Sequence, residues 1–224
     1  MEKGILYIVA TPIGNLEDIT LRALRVLKEV DVIFAEDTRV ARRLLAKYEI
    51  GTHVQRLDAH TEAKHTHLAT RLLSEGKNVA YVSDAGTPAI SDPGSRLVAA
   101  ARAAGYKVET IPGPSSVTAA LSIAGVPADE FLFLGFLPHK KGRQTALKEI
   151  ADSKRVIVLF ESTHRIVKLL KELEQNLAFN RQVCLARELT KIHEEVICGT
   201  ASKLKEILES EPVRQKGEFV VIVS

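Results

Sequence analysis

A chain of 224 residues with 46% hydrophobic and 26% charged side chains has the composition of a globular protein with a sizeable core. Its net charge of +3 at pH 7 does not by itself require a nucleic-acid partner. No apolar stretch approaches the ~18 residues that span a bilayer, and the N-terminus leads into a strand without a signal-peptide pattern. We therefore expect a cytoplasmic protein of two compact lobes with no membrane partner.

The first part of the chain alternates short apolar strands with amphipathic helices. Strands are predicted at 5–9, 32–35, 53–57, 79–82 and 107–111. Helices are predicted at 21–30, after Arg39, at 62–74 and at 95–104. In the first helix, Thr20 is the expected N-cap, and Leu21, Leu24 and Leu27 are expected to face the core. This alternation is typical of a mainly parallel sheet with helices on both faces.

Pro112-Gly113-Pro114 interrupts the pattern, and we place the domain boundary there, with domains at 1–113 and 114–224. The second domain repeats the alternation. Helices are predicted at 115–124, 144–151, 163–175 and 201–209, and extended segments at 131–138, 156–160, 183–187, 195–198 and 219–223. Cys184 and Cys198 each lie in an apolar strand, so we expect free buried thiols rather than a disulfide.

The segment 83–94, Ser-Asp-Ala-Gly-Thr-Pro-Ala-Ile-Ser-Asp-Pro-Gly, connects a buried strand to a helix. Asp92 is the expected N-cap of that helix, with Pro93 at its first position. Open α/β sheets bind ligands beyond the carboxyl ends of their strands, so this loop is a candidate ligand loop. A tight connector shaped by glycine and proline is the alternative.

Two other chemistries are weakly indicated. Glu36 lies about 22 residues beyond Gly14, where a dinucleotide-binding protein keeps its ribose-binding acid, but the G-x-G-x-x-G motif is absent. His60, His65 and His67 do not form a metal-ligand pattern, because positions 65 and 67 point to different faces of a helix. We therefore predict no metal site.

Six blocks of the sequence carry a family resemblance, namely 11–20, 36–39, 83–94, 112–116, 160–165 and 186–191. In this order they resemble the tetrapyrrole (corrin/porphyrin) methylase superfamily, and more narrowly its branch that methylates a cytidine ribose 2′-hydroxyl in 16S ribosomal RNA. The methylated residue in that branch is the decoding-region cytidine conventionally numbered 1402. The resemblance extends from residue 5 to residue 223.

The resemblance implies an α/β fold of two lobes, a Rossmann-like mainly parallel sheet followed by a second mixed-sheet domain, with S-adenosylmethionine in the cleft between them. It also implies a homodimer acting on 16S ribosomal RNA within the small ribosomal subunit. Pro12, Gly14 and Asn15 replace the G-x-G-P-G-D loop of tetrapyrrole enzymes, and Gly86-Thr87-Pro88 replaces their G-D-P triplet. Both departures favour the ribosomal branch over the alternative, a tetrapyrrole methyltransferase. Longer members of the branch continue past the terminal strand into a helical extension.

By position in the family's motifs, the resemblance implies cofactor contacts at Pro12, Gly14, Gly86, Thr87, Ile90, Ser91, Ser115, Ser116, Phe160, Glu161, Ala186 and Arg187. The two serines could equally cap a helix. A ribose hydroxyl needs a base to remove its proton, and the candidate catalytic residues are Glu36, Asp37, Arg39 and Glu161. The candidate RNA contacts are Arg39, Arg42, Arg43, Lys140, Lys141 and Arg143. Ion pairs between strand ends, or a solvated surface, are the alternative roles of these charged residues.

Overall fold

The computed structural model describes residues 3–59, 62–178 and 180–224. The chain divides into two compact units, Met1–Ser115 (unit 1) and Ser116–Ser224 (unit 2), and each contains a five-stranded sheet. Among the described residues, no helix combines the length and the apolar character needed to cross a bilayer. His60, one of the histidines considered above as metal ligands, lies outside the described residues.

Unit 1 is built on a parallel sheet. Its strands are β1 (Ile5–Val9), β2 (Val32–Ala35), β3 (His53–Arg56), β4 (Val79–Val82) and β5 (Lys107–Ile111), in the order β3-β2-β4-β1-β5. Its helices are α1 (Leu21–Glu29), α2 (Thr38–Lys47), α3 (Glu62–Ser74) and α4 (Ser95–Ala103). Every neighbouring pair of strands is parallel, so all five carboxyl ends lie at one edge of the sheet.

Helices cover both faces of this sheet, as the sequence alternation predicts. On one face, α1 and α2 pack against Val9, Ile33 and Ala80. On the other, α3 and α4 pack against Phe34 and Tyr81. The central strands β2 and β4 are buried at every position, which explains why both read as uninterrupted apolar runs.

Helix α1 confirms one expectation and corrects another. The Thr20 hydroxyl accepts a hydrogen bond from the Ala23 amide at 3.1 Å, so Thr20 is the N-cap. Leu21 was expected to face the core, but 86% of it is exposed. The buried stripe of the helix comprises Ala23, Val26 and Leu27, at the spacing of one helical face, and Leu21 in the first turn lies off that stripe.

The start of α4 differs from the prediction, because the N-cap is Gly94 rather than Asp92. The buried Glu62 carboxylate, from α3, accepts the amide hydrogens of Gly94 at 3.1 Å and Arg96 at 3.3 Å. A carboxylate from another helix thus satisfies amides that a local side chain was expected to satisfy. Gly94 is required here, since its φ is +123° and a Cβ would lie 2.5 Å from Cε1 of Tyr81.

Unit 2 has a mixed sheet. Its strands are β6 (Phe131–Phe136), β7 (Val156–Ser162), β8 (Val183–Arg187), β9 (Glu195–Gly199) and β10 (Glu218–Val223), in the order β6-β7-β10-β8-β9. Its helices are α5 (Ser116–Ile123), α6 (Arg143–Asp152), α7 (Ile166–Asn176) and α8 (Ala201–Ser210). Strands β6 and β7 are parallel, and the remaining neighbours are antiparallel.

The two cysteines form a disulfide, so the expectation of free thiols is wrong. Cys184 on β8 and Cys198 on β9 are direct partners in the antiparallel register, with their Cα atoms 4.1 Å apart. The register that brings them together depends on how the chain turns between the two strands, and the separate apolar patterns of β8 and β9 do not specify it.

Candidate functional site

Three loops of unit 1 meet at the carboxyl edge of its sheet, following β1, β4 and β5. The backbones of Thr11 and Gly86 exchange two hydrogen bonds, at 2.9 and 3.0 Å, which join the first loop to the second. The Thr87 hydroxyl donates to the carbonyl oxygen of Pro114 at 3.2 Å, which joins the second loop to the third. A Cβ added to Gly86 would lie 3.4 Å from Cγ2 of Ile13 and 3.7 Å from that carbonyl oxygen. The loops therefore form one continuous rim.

All seven cofactor residues predicted in unit 1 lie on these three loops. Pro12 and Gly14 lie on the first loop, Gly86, Thr87, Ile90 and Ser91 on the second, and Ser115 on the third. The second loop holds two non-glycine residues in the left-handed region, Ala89 at φ +67° and Ser91 at φ +64°. Such backbone is unfavourable for residues with a Cβ and persists where the surrounding structure fixes it.

Carboxylates lie beside this rim. Glu36 follows β2 and Asp84 follows β4, and these strands are direct neighbours whose last residues pair in register. The Asp37 amide donates to the Asp84 carboxylate at 2.9 Å, which connects the two strand ends. Asp84 is not among the residues predicted from the sequence, although it lies two residues after the buried strand β4, much as Glu36 follows the buried strand β2.

The environment of Glu36 favours its protonated form. Burial raises the pKa of Glu36 to about 7, and the negative charges of Asp92, Asp84 and Asp58 act in the same direction. Burial also raises the pKa of Asp92. At neutral pH the Glu36 carboxyl is therefore about half ionised and can either accept or donate a proton.

Tyr81, on β4, adds a buried hydroxyl to the same region. The residue is fully buried, and its hydroxyl has no hydrogen-bond partner among the described residues. Burial and the charges of Glu36 and Asp92 raise the pKa of Tyr81, so the hydroxyl stays protonated. No sequence motif selects this tyrosine, because it reads as part of an apolar strand.

Asp37 and Arg39, two of the predicted catalytic residues, pair with each other. The Asp37 carboxylate caps α2 by accepting the Arg39 amide at 2.8 Å, and it also accepts from Nη2 of Arg39 at 2.5 Å. These hydrogen bonds hold the pKa of Asp37 well below its usual range. A carboxylate with so low a pKa is a weak proton acceptor at neutral pH. Glu36 is therefore the better candidate base.

The exposed face of α2 is basic. Arg42 and Arg43 are exposed, and within the described part of the chain neither side chain forms an ion pair. Arg39, on the same helix, is 88% exposed but shares its charge with Asp37. Arg42 and Arg43 therefore remain available for a phosphate group.

Glu161 and Arg143, both in unit 2, are buried in an ion cluster. The Glu161 side chain is fully buried, with Oε1 3.1 Å from Nε of Arg165 and Oε2 3.8 Å from Nη2 of Arg143. Arg143 is 4% exposed and donates to Glu172 at 2.6 Å. Neither the Arg143 guanidinium nor the Glu161 carboxylate is accessible to an external ligand. We therefore retain neither side chain as a ligand contact.

The Arg187 side chain likewise forms its hydrogen bonds and ion pair within unit 2. Its guanidinium donates to the carbonyl oxygens of Lys216 at 2.6 Å and Val213 at 3.3 Å, and it lies 3.7 Å from the Glu195 carboxylate. Ala186 is buried within the β8 ladder. Phe160 is partly exposed, and its ring packs against the rings of Phe133 and Phe136. Ser116 begins α5.

Metal binding has no structural support in the described ranges. Within them, no group of three His, Cys, Asp or Glu side chains is arranged to hold a metal ion.

A parallel sheet whose loops join beyond the carboxyl ends of its strands is typical of α/β proteins that bind nucleotide-like ligands at that edge. The chain belongs to the tetrapyrrole (corrin/porphyrin) methylase family, whose profile matches residues 5–205. The family resemblance and the α/β fold read from the sequence are thereby confirmed.

Curated relatives are similar over nearly the whole chain. The ribosomal RNA small subunit methyltransferase I of Pasteurella multocida is 47% identical over 98% of this chain and 79% of the relative. The protein of the same name from Borrelia garinii subsp. bavariensis is 48% identical over 98% of both chains. The chain shares its fold with the crystal structure of uroporphyrin-III C-methyltransferase from Thermus thermophilus complexed with S-adenosylhomocysteine. The TM-score is 0.68 at 18% sequence identity, and the match covers 98% of this chain and 96% of that chain.

Proposed function

We propose that this protein transfers a methyl group from S-adenosylmethionine to the 2′-hydroxyl of a cytidine in 16S ribosomal RNA, at the decoding-region position named above. The broader statement, S-adenosylmethionine-dependent methylation of small-subunit ribosomal RNA, rests on family membership and on relatives about 47% identical that carry that name. The ribose hydroxyl and the particular cytidine are the proposed refinement.

The observation that carries the proposal is the joined rim of three loops beside Glu36. Its backbone groups and its exposed Ile90 suit a nucleoside-like ligand, and the nearby carboxylates suit a donor that carries positive sulfonium and ammonium groups. We assign the S-adenosylmethionine contacts of unit 1 to Pro12, Gly14, Gly86, Thr87, Ile90, Ser91 and Ser115. The contacts predicted at Ser116, Phe160 and Ala186 in unit 2 stay predictions.

The chain's own contribution to the reaction is to orient the reactants and remove a proton. S-adenosylmethionine supplies an electrophilic methyl group. The Glu36 carboxylate accepts the 2′-hydroxyl proton as that oxygen forms its bond to the methyl carbon, and the electrons of the broken carbon–sulfur bond remain on sulfur. A base with a pKa near the working pH suits this transfer, and alignment in a fixed site can supply roughly 7 to 11 kcal/mol of the barrier reduction.

A direct test uses labelled S-adenosylmethionine and small ribosomal subunits from a strain that lacks the modification. We expect one label per 16S RNA, on a cytidine ribose in the decoding region. Label on a base or at another nucleotide would contradict the refinement. Label accepted by a tetrapyrrole, with none transferred to ribosomal RNA, would favour the alternative enzyme of the same family.

The strained second loop gives a prediction about cofactor affinity. Changing Ala89 to glycine removes a Cβ from a left-handed residue, so we expect the free energy of unfolding to rise by about 0.5 to 1 kcal/mol. The looser loop must be ordered on binding, so the KM for S-adenosylmethionine should increase about twofold to tenfold. Glu49→Gly is the matched control, because Glu49 also has a positive φ but lies after α2. An unchanged KM in Ala89→Gly would remove this loop from the cofactor site.

Exposed basic residues give a prediction about RNA binding. Lys140 and Lys141 are exposed on a turn of unit 2 and are the proposed phosphate contacts there, as Arg42 and Arg43 are in unit 1. Replacing both lysines by alanine should weaken binding to small ribosomal subunits. It should also flatten the log–log salt dependence by about 0.9 for each lost duplex phosphate contact, and by about 0.7 on a single strand. The control is Lys28→Ala, an exposed lysine outside both basic surfaces. An unchanged slope in the double variant would exclude the turn from the RNA surface.

A further inference from the structure

An exposed aromatic ring lies at the end of β6 in unit 2. Phe136 is 55% exposed, and its ring centroid lies 5.5 Å from that of Phe160, which in turn contacts Phe133 at 5.0 Å in an edge-on arrangement. Phe160, which contacts Phe136, and Phe133, which contacts Phe160, are both partly buried. Phe136 thus presents a large apolar surface to solvent from a rigid base.

The local backbone turns this ring outward. The pairing of β6 with β7 shifts register between Phe133 and Phe136, and Gly135, between them, has a φ of +61°. A β-bulge of this kind redirects the side chain that follows it. The backbone conformation of β6 therefore determines the exposure of Phe136.

A basic turn follows the ring directly. Residues 138–142 are exposed and include His139, Lys140 and Lys141. Among the residues that the structure describes, neither lysine forms an ion pair. An exposed aromatic ring and two free positive charges thus lie within six residues of one another along the chain.

The buried ion cluster described above holds this turn in place. Nη2 of Arg165 donates to the carbonyl oxygen of Leu137 at 2.6 Å, and Nη1 of Arg143 donates to that of Pro138 at 3.1 Å. Both arginines are themselves fixed by the buried Glu161. The backbone that links Phe136 to the two lysines is thereby anchored at two consecutive carbonyl groups.

We propose that Phe136 and the turn 138–142 form a binding platform for single-stranded RNA, in which an unpaired base stacks on Phe136 and Lys140 and Lys141 contact the adjoining phosphates. This platform rests on the proposed function, because it takes RNA as the substrate. Stacking on aromatic rings beside a basic surface is how proteins hold unstacked bases. The positive charge of the turn favours RNA over an apolar protein partner as the occupant.

The chain contains no tryptophan, so Phe136→Trp introduces a single selectively excited fluorophore at the platform. We expect a single-stranded oligoribonucleotide with the sequence around the target cytidine to quench this fluorescence. Phe136→Ala should weaken the affinity about 5- to 100-fold, whereas Phe136→Trp should retain it, because stacking needs an aromatic ring. Phe131→Trp and Phe131→Ala are matched controls at the opposite, also exposed, end of the same strand. Neither should respond.

Three results would overturn the platform: unchanged Phe136→Trp emission at saturating RNA, equal quenching in Phe131→Trp, or full RNA affinity in Phe136→Ala. A loss of oligomeric mass in Phe136→Ala with RNA affinity intact would assign the ring to an interface with a second copy of the chain. Methyl transfer by the unaltered protein is measured in parallel. If the protein methylates ribosomal RNA but RNA neither quenches Phe136→Trp fluorescence nor binds more weakly to Phe136→Ala, the platform alone is rejected. If RNA quenches the fluorescence and binding requires an aromatic ring at position 136, but no methyl group is transferred, the platform is supported and the proposed function is rejected.

Discussion

Replacing Glu36 by glutamine is expected to lower kcat for methyl transfer about 10²- to 10⁴-fold, the usual contribution of a positioned acid–base group. Glutamine keeps the size and hydrogen-bonding capacity of the side chain but cannot accept the ribose proton. The KM for S-adenosylmethionine should change much less than kcat, because the proposed cofactor contacts lie on the neighbouring loops and Asp84 and Asp92 still supply negative charge beside them. The measurement is single-turnover transfer to small ribosomal subunits, which isolates the chemical step from product release.

The pH dependence tests the same assignment. With a Glu36 pKa of about 7, kcat should rise with pH through neutrality as the carboxylate ionises. Asp92 supplies the largest of the charge effects that raise this pKa, so Asp92→Asn should move the rising limb to lower pH. A limb that stays in place in Asp92→Asn, or that persists in Glu36→Gln, would assign the titration to another group.

As the pH rises through neutrality, the free energy of unfolding should fall while kcat rises. The folded protein raises the Glu36 pKa from 4.5 to about 7, so the stability that the protonated form contributes is fully present below pH 4.5 and is lost as the pH rises through 7. Glu36→Gln avoids this loss. Its melting temperature should therefore exceed that of the unaltered protein at pH 8 by more than it does at pH 5. If the Glu36 carboxylate served only in an ion pair, Glu36→Gln would instead lower the melting temperature, and by more at pH 8 than at pH 5.

The sequence was informative wherever local pattern determines structure. The apolar runs of β2 and β4 identified central strands, and the alternation with helices identified a parallel sheet with loops at one edge. Glu36 and the loop that contains Gly86 could be selected for this reason, since parallel strands bring their carboxyl ends together. Exchange of hydrogen bonds between Thr11 and Gly86 is a consequence of that geometry.

Interactions between distant residues were not predictable in the same way. Arg143 belongs to a basic segment in the sequence, yet it turns inward because Glu172, 29 residues later, lies beside it in the fold. Glu62, rather than the expected cap Asp92, accepts the amide hydrogen of Gly94, which lies 32 residues further along the chain. Cys184 and Cys198 are brought together by the register of β8 and β9. In each case the side chain's role depends on which partner the tertiary structure supplies.

The second large effect concerns Glu161, for which glutamine is expected to cost about 3 to 5 kcal/mol of the free energy of unfolding. The fully buried carboxylate lies 3.1 Å from Arg165 and 3.8 Å from Arg143, so its neutralisation leaves positive charge buried without its partner. Glutamine can still accept the Ser162 amide hydrogen that Oε1 accepts at 2.8 Å, which isolates the effect of charge. Chemical denaturation at constant pH measures the loss.

The matched control is Glu130→Gln, which removes an ion pair with Arg155 whose side chains are 78% and 64% exposed, and which should cost no more than about 1 kcal/mol. Adding Arg165→Met to Glu161→Gln should recover part of the loss, because one uncompensated charge is then removed. Glu161 was a candidate catalytic residue, so activity must be expressed per folded molecule at low temperature. If activity falls only in proportion to the folded fraction, Glu161 acts by stabilising the fold. A folded but inactive Glu161→Gln protein would show that Glu161 takes part in methyl transfer.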